Sequence, residues 1–132
     1  TSDAVVGVFN GCFYTDPTTQ KPTYKNYYPG SIAASDITAF IVDDPDAVFL
    51  ADADAAFTRA DLFKNYSVTN TTGVTQTGIS KAQLDVSVSG TAQTFVIQAI
   101  DISQDPDNSG AGANANVLVR INNHFYRSGT GL

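Results

Sequence analysis

Every acidic residue in this 132-residue chain is aspartate: there are 13 Asp and no Glu. That bias narrows what the chain folds into. Glu sits comfortably in helix interiors, whereas the short Asp side chain competes for nearby backbone groups and favours caps and turns. The chain is also rich in Thr and lacks Met and Trp. Together these features predict strands joined by Asp, Asn and Gly turns, in a mainly β fold.

The length predicts one domain, spanning residues 1–132, with a single hydrophobic core. Hydrophobic residues make up 42% of the chain and charged residues 15%, which excludes a disordered polyampholyte. The net charge is −6 and the few basic residues are scattered, so a nucleic-acid partner is not expected. No apolar stretch approaches the roughly 18 residues of a membrane span, and no basic-then-apolar leader opens the chain. The expectation is a soluble protein without a membrane partner, its initiator Met removed. Cys12 is the only cysteine, so no intrachain disulfide forms; flanked by Gly11 and Phe13, it reads as a buried small hydrophobe in a reducing compartment.

Along the chain, Val5–Phe9 reads as a strand. Asn10-Gly11 before Cys12-Phe13-Tyr14 reads as a two-residue hairpin turn. Residues 15–31, rich in Pro and Tyr, read as a long loop or extended arm. Ile37–Val42 is predicted as a strand, Asp43-Asp44-Pro45-Asp46 as a turn and Ala47–Ala51 as its hairpin partner. Phe57, Ala60 and Phe63 recur at helical spacing and predict one or two helical turns. A strand is read at Tyr66–Val74, with Thr72-Gly73 as a turn. Ser80 with Gln83 forms a capping box, and Ile79 faces Leu84 as a hydrophobic staple, predicting a short helix near 81–84. Strands follow around Val86 and Val88 and at Thr94–Ile102, the latter read as central and buried on both faces. The last is Val117–Ile121, with Val117, Val119 and Ile121 on one face and Leu118 and Arg120 on the other. The tail from His124 is predicted to fray. The fold class is therefore a small β-barrel or β-sandwich with one or two short helical turns and extended arms.

No catalytic constellation emerges. His124 is the only histidine, and no Gly-x-Ser-x-Gly elbow is present. Asp43, Asp44, Asp46, Asp52 and Asp54 crowd one segment, yet Asp beside Pro is ordinary turn chemistry. Asp105, Asp107, Ser109 and Gly110 mimic the first half of a calcium loop, but its twelfth position is Asn116 and the flanking helices are missing. An Asx-rich turn is the favoured reading, and neither a catalytic residue, a metal nor a cofactor is assigned. Asn65 and Asn70 begin glycosylation triplets that a Thr-rich chain produces by chance. Tyr24, Tyr27 and Tyr28, in a loop with Lys21 and Lys25, either cap the core or present an interface.

With these segments in view, the chain resembles the small capsid decoration, cement or head-stabilising proteins of marine and freshwater tailed bacteriophages. The resemblance rests on Asn10-Gly11-Cys12 with Tyr14, on Val42-Asp43-Asp44-Pro45 before Val48-Phe49, and on Thr77-Gly78-Ile79-Ser80 with Leu84-Asp85. Asp105-Pro106-Asp107-Asn108 leading to Val117-Leu118-Val119-Arg120-Ile121-Asn122-Asn123-His124 completes it, so it spans nearly the whole chain in order. This chain departs from the pattern at Ala51-Asp52, where the related proteins carry Val-Gln. The resemblance implies a non-enzymatic β-barrel on the exterior of an icosahedral virion, made in the host cytoplasm. It would bind the major capsid protein, bridge capsomers as a dimer or trimer, and need no cofactor. Residues 1–4, 15–31 and 124–132 become candidate arms. Tyr24, Tyr27, Tyr28, Phe125, Tyr126 and Arg127 become the candidate interface. The competing reading is a β-sandwich carbohydrate-binding module that uses the three tyrosines as a stacking platform, with calcium near Asp105 and Asp107.

Overall fold

The structure is a computed structural model that describes residues 4–108, 112 and 114–127. Two antiparallel sheets make a sandwich-like fold rather than a closed barrel. The smaller sheet comprises β1 (Val8–Thr15), β2 (Pro22–Lys25) and β3 (Thr38–Val42), in the order β2-β1-β3. The larger contains β4 (Val48–Asp52), β5 (Asn65–Thr69), β6 (Gln83–Gly90), β7 (Ile97–Ile102) and β8 (Asn116–Ile121), in the order β4-β8-β7-β5-β6. A parallel bridge from Ala53 to Leu84 draws the end of β4 toward β6, yet the ring stays open.

The core belongs to the larger sheet. Val117 and Val119 alternate inward on β8, and their ladder partners Ala51, Phe49 and Ala99 share that face. Phe57 and Leu62, from the segment after β4, cover it, with Phe57 against the Tyr66 ring at 5.8 Å between centroids. The Tyr66 hydroxyl donates to the Asp61 carbonyl at 2.6 Å, and burial pushes its pKa up to about 12, so it remains a donor. None of the core cluster comes from the small sheet.

A single 3₁₀ turn, Arg59–Asp61, stands where helical turns were expected. The Asp61 carboxylate accepts from Lys64 Nζ (2.9 Å) and from the Thr58 hydroxyl and N–H (2.8 and 3.1 Å). These donors, Lys64 first, hold its carboxyl below the usual range. A depressed carboxyl stabilises the fold above its unfolded pKa of about 3.9, and that contribution disappears as pH falls through the lower folded value. Asp61→Asn is therefore expected to lower Tm at neutral pH, with the gap to the parent closing in acid below the usual carboxylate range. Thermal scans at neutral and acid pH check this.

Several expectations are corrected. Asn10-Gly11 is no hairpin turn. β1 runs straight through it, and the two residues form a bulge opposite β3 between Phe9 and Cys12, with Gly11 taking φ +115°. The positive φ that suits a tight turn also suits a bulge. Val5 lies outside the strand and bridges to His124. Residues 15–31 are not an arm: the chain turns at 17–19 and returns as β2 on β1.

The Asp44-Pro45 turn forms, with Ala47 N–H bonded to the Asp44 carbonyl at 3.2 Å. It joins no hairpin, however, because β3 pairs with β1 and β4 with β8, so the chain changes sheets there. The strand read at Tyr66–Val74 ends at Thr69, and the turn that follows spans 75–78, closed by Val74 and Ile79, rather than Thr72-Gly73.

The helix expected near 81–84 is absent. The Ser80 hydroxyl does accept a backbone N–H, from Ala82 at 3.1 Å, but Gln83 and Leu84 pair with Thr69 and Val68 instead. Four residues cannot repay helix nucleation against a ladder and the full burial of Leu84. β7 is central, as expected, but not buried on both faces: Asp101 is exposed beside a bulge.

Candidate interaction face

In the small sheet, residues paired across the ladders share a face, and the pairs Val8–Val42, Phe13–Thr38 and Phe13–Tyr24 define one of them. Strand alternation adds Phe40, whose ring lies 6.3 Å from that of Tyr24. Val8, Phe13, Tyr24, Phe40 and Val42 are between 38% and 55% exposed, and all five residues of β3 are exposed. The opposite face carries buried Cys12 and Tyr14. The burial expected for Cys12 is thus observed.

The three rings alone leave roughly 300 Å² of apolar surface open, at the 150–250 Å² that an aromatic side chain buries when covered. With the two valines the patch reaches the size at which exposed apolar surface on a monomer is often functional. Two features hold it in shape. The Tyr24 hydroxyl donates to the Asn10 carbonyl at 2.8 Å, and a Cβ at Gly11 would collide with that hydroxyl, so bulge and ring are built for each other. At the far end of β1, Asp36 accepts from the Thr15 hydroxyl (2.6 Å) and N–H (3.1 Å), which holds its carboxyl below the usual range.

A second exposed strip, Val48 and Leu50 on β4, is narrower. Its ladder neighbours are Arg120 and Leu118, and Arg120 is bound to Gln98 at 2.9 Å. A groove of about 520 Å³ lies between the small sheet and the 72–80 segment, lined by Phe9, Tyr27, Tyr28, Val74 and Ile79 among others.

The six residues expected to form one interface are divided among three places. Tyr24 stands on the open face. Tyr27 and Tyr28 line the groove, with the Tyr27 carbonyl accepting from Cys12 Sγ at 3.5 Å, so the three tyrosines make no common stacking platform. Phe125–Arg127 form a 3₁₀ turn rather than a frayed tail. Arg127 is paired with Asp46 at 2.6 Å and the Tyr126 hydroxyl donates to Asp43 at 3.3 Å, which clamps the turn onto the Asp43–Asp46 corner. Residues 1–3 and 128–132, the rest of the expected arms, lie outside the described residues, as do Ser109 and Gly110 of the calcium-like run.

His124 is 1% exposed, another departure from a fraying tail. Its Nδ1 accepts the Tyr126 N–H at 3.0 Å, and its Nε2 has no hydrogen-bond partner among the described residues. The Asp-rich segment is dispersed over structural tasks: Asp52 accepts from Gln83, and Asp54 from the Val86 N–H. Among the described residues no three of His, Cys and Asp converge as metal ligands. The Asp105 turn is organised by Asn108, whose side chain bonds the Ser103 carbonyl and both the carbonyl and N–H of Asn116 at 2.8–3.0 Å. Asn65 is buried, with its amide bonded to the Ala92 carbonyl, which makes it a poor glycosylation acceptor.

Sequence reasoning missed Phe13, Phe40, Val8 and Val42. The run Phe40-Ile41-Val42 is apolar on both faces, the pattern of a buried strand, and it is exposed because no described strand packs over the small sheet. No protein-family model, curated protein or solved structure matches the chain.

Proposed function

We propose that this protein is a structural docking module, and specifically a decoration protein that binds the exterior of an icosahedral phage capsid through the open face of its small sheet. The observation that carries the reading is the uncovered patch of Val8, Phe13, Tyr24, Phe40 and Val42 on a sheet separate from the core. The ordered motif resemblance supports the choice of a capsid as partner. Docking of this kind relies on surface complementarity. A ligand that binds the assembled shell and not its loosened form stabilises the shell by mass action. The patch is smaller than the roughly 800 Å² per partner of a standard interface, so each copy holds weakly and many copies act together.

The test is to add purified protein to tailed-phage capsids stripped of their decoration layer. Saturable binding to the outer surface, with a rise in the temperature at which shells disrupt, is the expected result. Absence of binding at micromolar protein, with the patch intact, overturns the proposal.

A further inference from the structure

Four sheet edges exist among the described strands, and three of them are guarded at one point or more. β2 opens on Pro22 and closes on Lys25, and both residue types discourage further pairing. The β4 and β6 edges meet at the Ala53–Leu84 bridge, where the Asp54 N–H bonds the Leu84 carbonyl at 3.0 Å. β3 has neither a guarding residue nor a bridge on its outer side, and unlike β4 it borders the open apolar face. Thr38-Ala39-Phe40-Ile41-Val42 carries no charge, proline or glycine, and the bulge of its ladder is borne by β1.

The orientation of its backbone follows from its neighbours. The Val42 carbonyl faces Gly7, which lies so close that a Cβ there would collide with it. Alternation then turns Thr38, Phe40 and Val42 toward β1, and leaves the N–H and C=O groups of Ala39 and Ile41 on the open side. Among the described residues no backbone hydrogen bond reaches that side.

We infer that the β3 edge accepts an antiparallel strand from the docking partner, one with alternating apolar residues and with Lys or Arg at its ends. This deepens the proposed docking function and rests on it. Acids bracket the edge, with Asp36 before β3 and Asp43 and Asp44 after it. A second copy of the chain fits poorly. Pairing two β3 strands about Phe40 brings Asp36 of each copy toward Asp44 of the other just beyond the ladder ends, where like charges repel. The net charge of −6 on each copy adds to the repulsion. A strand with cationic ends reverses both effects, and its apolar side chains would extend the patch beside Phe40 and Val42. Main-chain bonds at Ala39 and Ile41 then supply binding that the patch alone is too small to give.

Two synthetic nine-residue peptides test this, both with a Thr-Val-Thr-Val-Thr core, one flanked by two lysines at each end and the other by two aspartates. With the full chain, the lysine-flanked peptide is expected to slow amide hydrogen exchange at Ala39 and Ile41 by about tenfold or more, the scale of one hydrogen bond. The aspartate-flanked peptide is expected to leave it unchanged. Ala39→Pro removes an outward N–H at an edge that tolerates proline, and should weaken the first peptide by about tenfold. The exchange measurement on the unmodified protein stands even if that variant misfolds. Equal protection by both peptides overturns the charge assignment, and concentration-dependent protection without peptide makes the occupant a second copy. No protection by the lysine-flanked peptide, while capsids still bind, sinks strand addition and leaves the docking reading standing. Failure of capsid binding itself removes that reading.

Discussion

Replacing Phe57 with alanine is expected to cost about 3–5 kcal/mol, the range for deleting a fully buried aromatic ring. Phe57 is wholly buried, lies against Tyr66 and belongs to the segment that covers the core cluster. The ring comes from a loop, not a strand, so the ladder around it has no reason to collapse into the cavity. For a domain whose total stability lies in the range of about 5–15 kcal/mol, the loss amounts to a large fraction of the whole. Tm should fall by on the order of 10–20 °C. Phe63 is the internal control: it stands six residues on, is 70% exposed with φ +63°, and its alanine variant should shift stability by less than about 0.5 kcal/mol. Urea denaturation of the two variants measures both. Equal losses would mean that the segment after β4 does not cover the core as described.

That pair also shows where sequence reading reaches and where it stops. Phe57, Ala60 and Phe63 share helical spacing, but the segment makes one 3₁₀ turn and sends its two phenylalanines in opposite directions. Three residues of apparent period cannot separate a helix from a loop that anchors once. The alternation at Val117, Val119 and Ile121, against Leu118 and Arg120, was legible because six residues with one wet face admit one register. The same holds for the Asp44-Pro45 turn, whose chemistry is local.

Pairing was not legible. Whether β3 and β4 on either side of that turn lie in one sheet depends on β8, which arrives more than sixty residues later. Ser80 illustrates the related failure: its hydroxyl performs a local capping bond, and the ladder to Val68 and Thr69 still decides that the chain is a strand. For the site, the sequence left Tyr24 open between capping the core and presenting an interface, and its place on the small sheet exposes it. Phe13 and Phe40 were not legible because an apolar residue reads the same whether its burial comes from a core or, as proposed, from a partner.

The double variant Phe13→Asp/Phe40→Asp separates those two kinds of burial. Both rings are more than 40% exposed on the open face, and neither belongs to the core cluster, so the folded chain should keep its stability within about 1 kcal/mol. If the proposed docking holds, capsid attachment weakens by at least about 100-fold, since aromatic hot spots at interface centres carry about 2 kcal/mol or more each. New carboxylates on a surface meant to be dried out add the cost of stranding charge. The comparison variant is Val48→Asp/Leu50→Asp on β4, matched in charge added and somewhat more exposed, but set on the larger sheet among Leu118 and Arg120. It should attach almost normally. Equal weakening by the two would point to net charge alone. Weakening only by the β4 pair would place the docking surface on the outer side of the large sheet, leaving the exposed small sheet without a partner. Selective loss with the Phe13/Phe40 pair, at unchanged stability, is the outcome expected if evolution keeps these rings for a surface outside the chain.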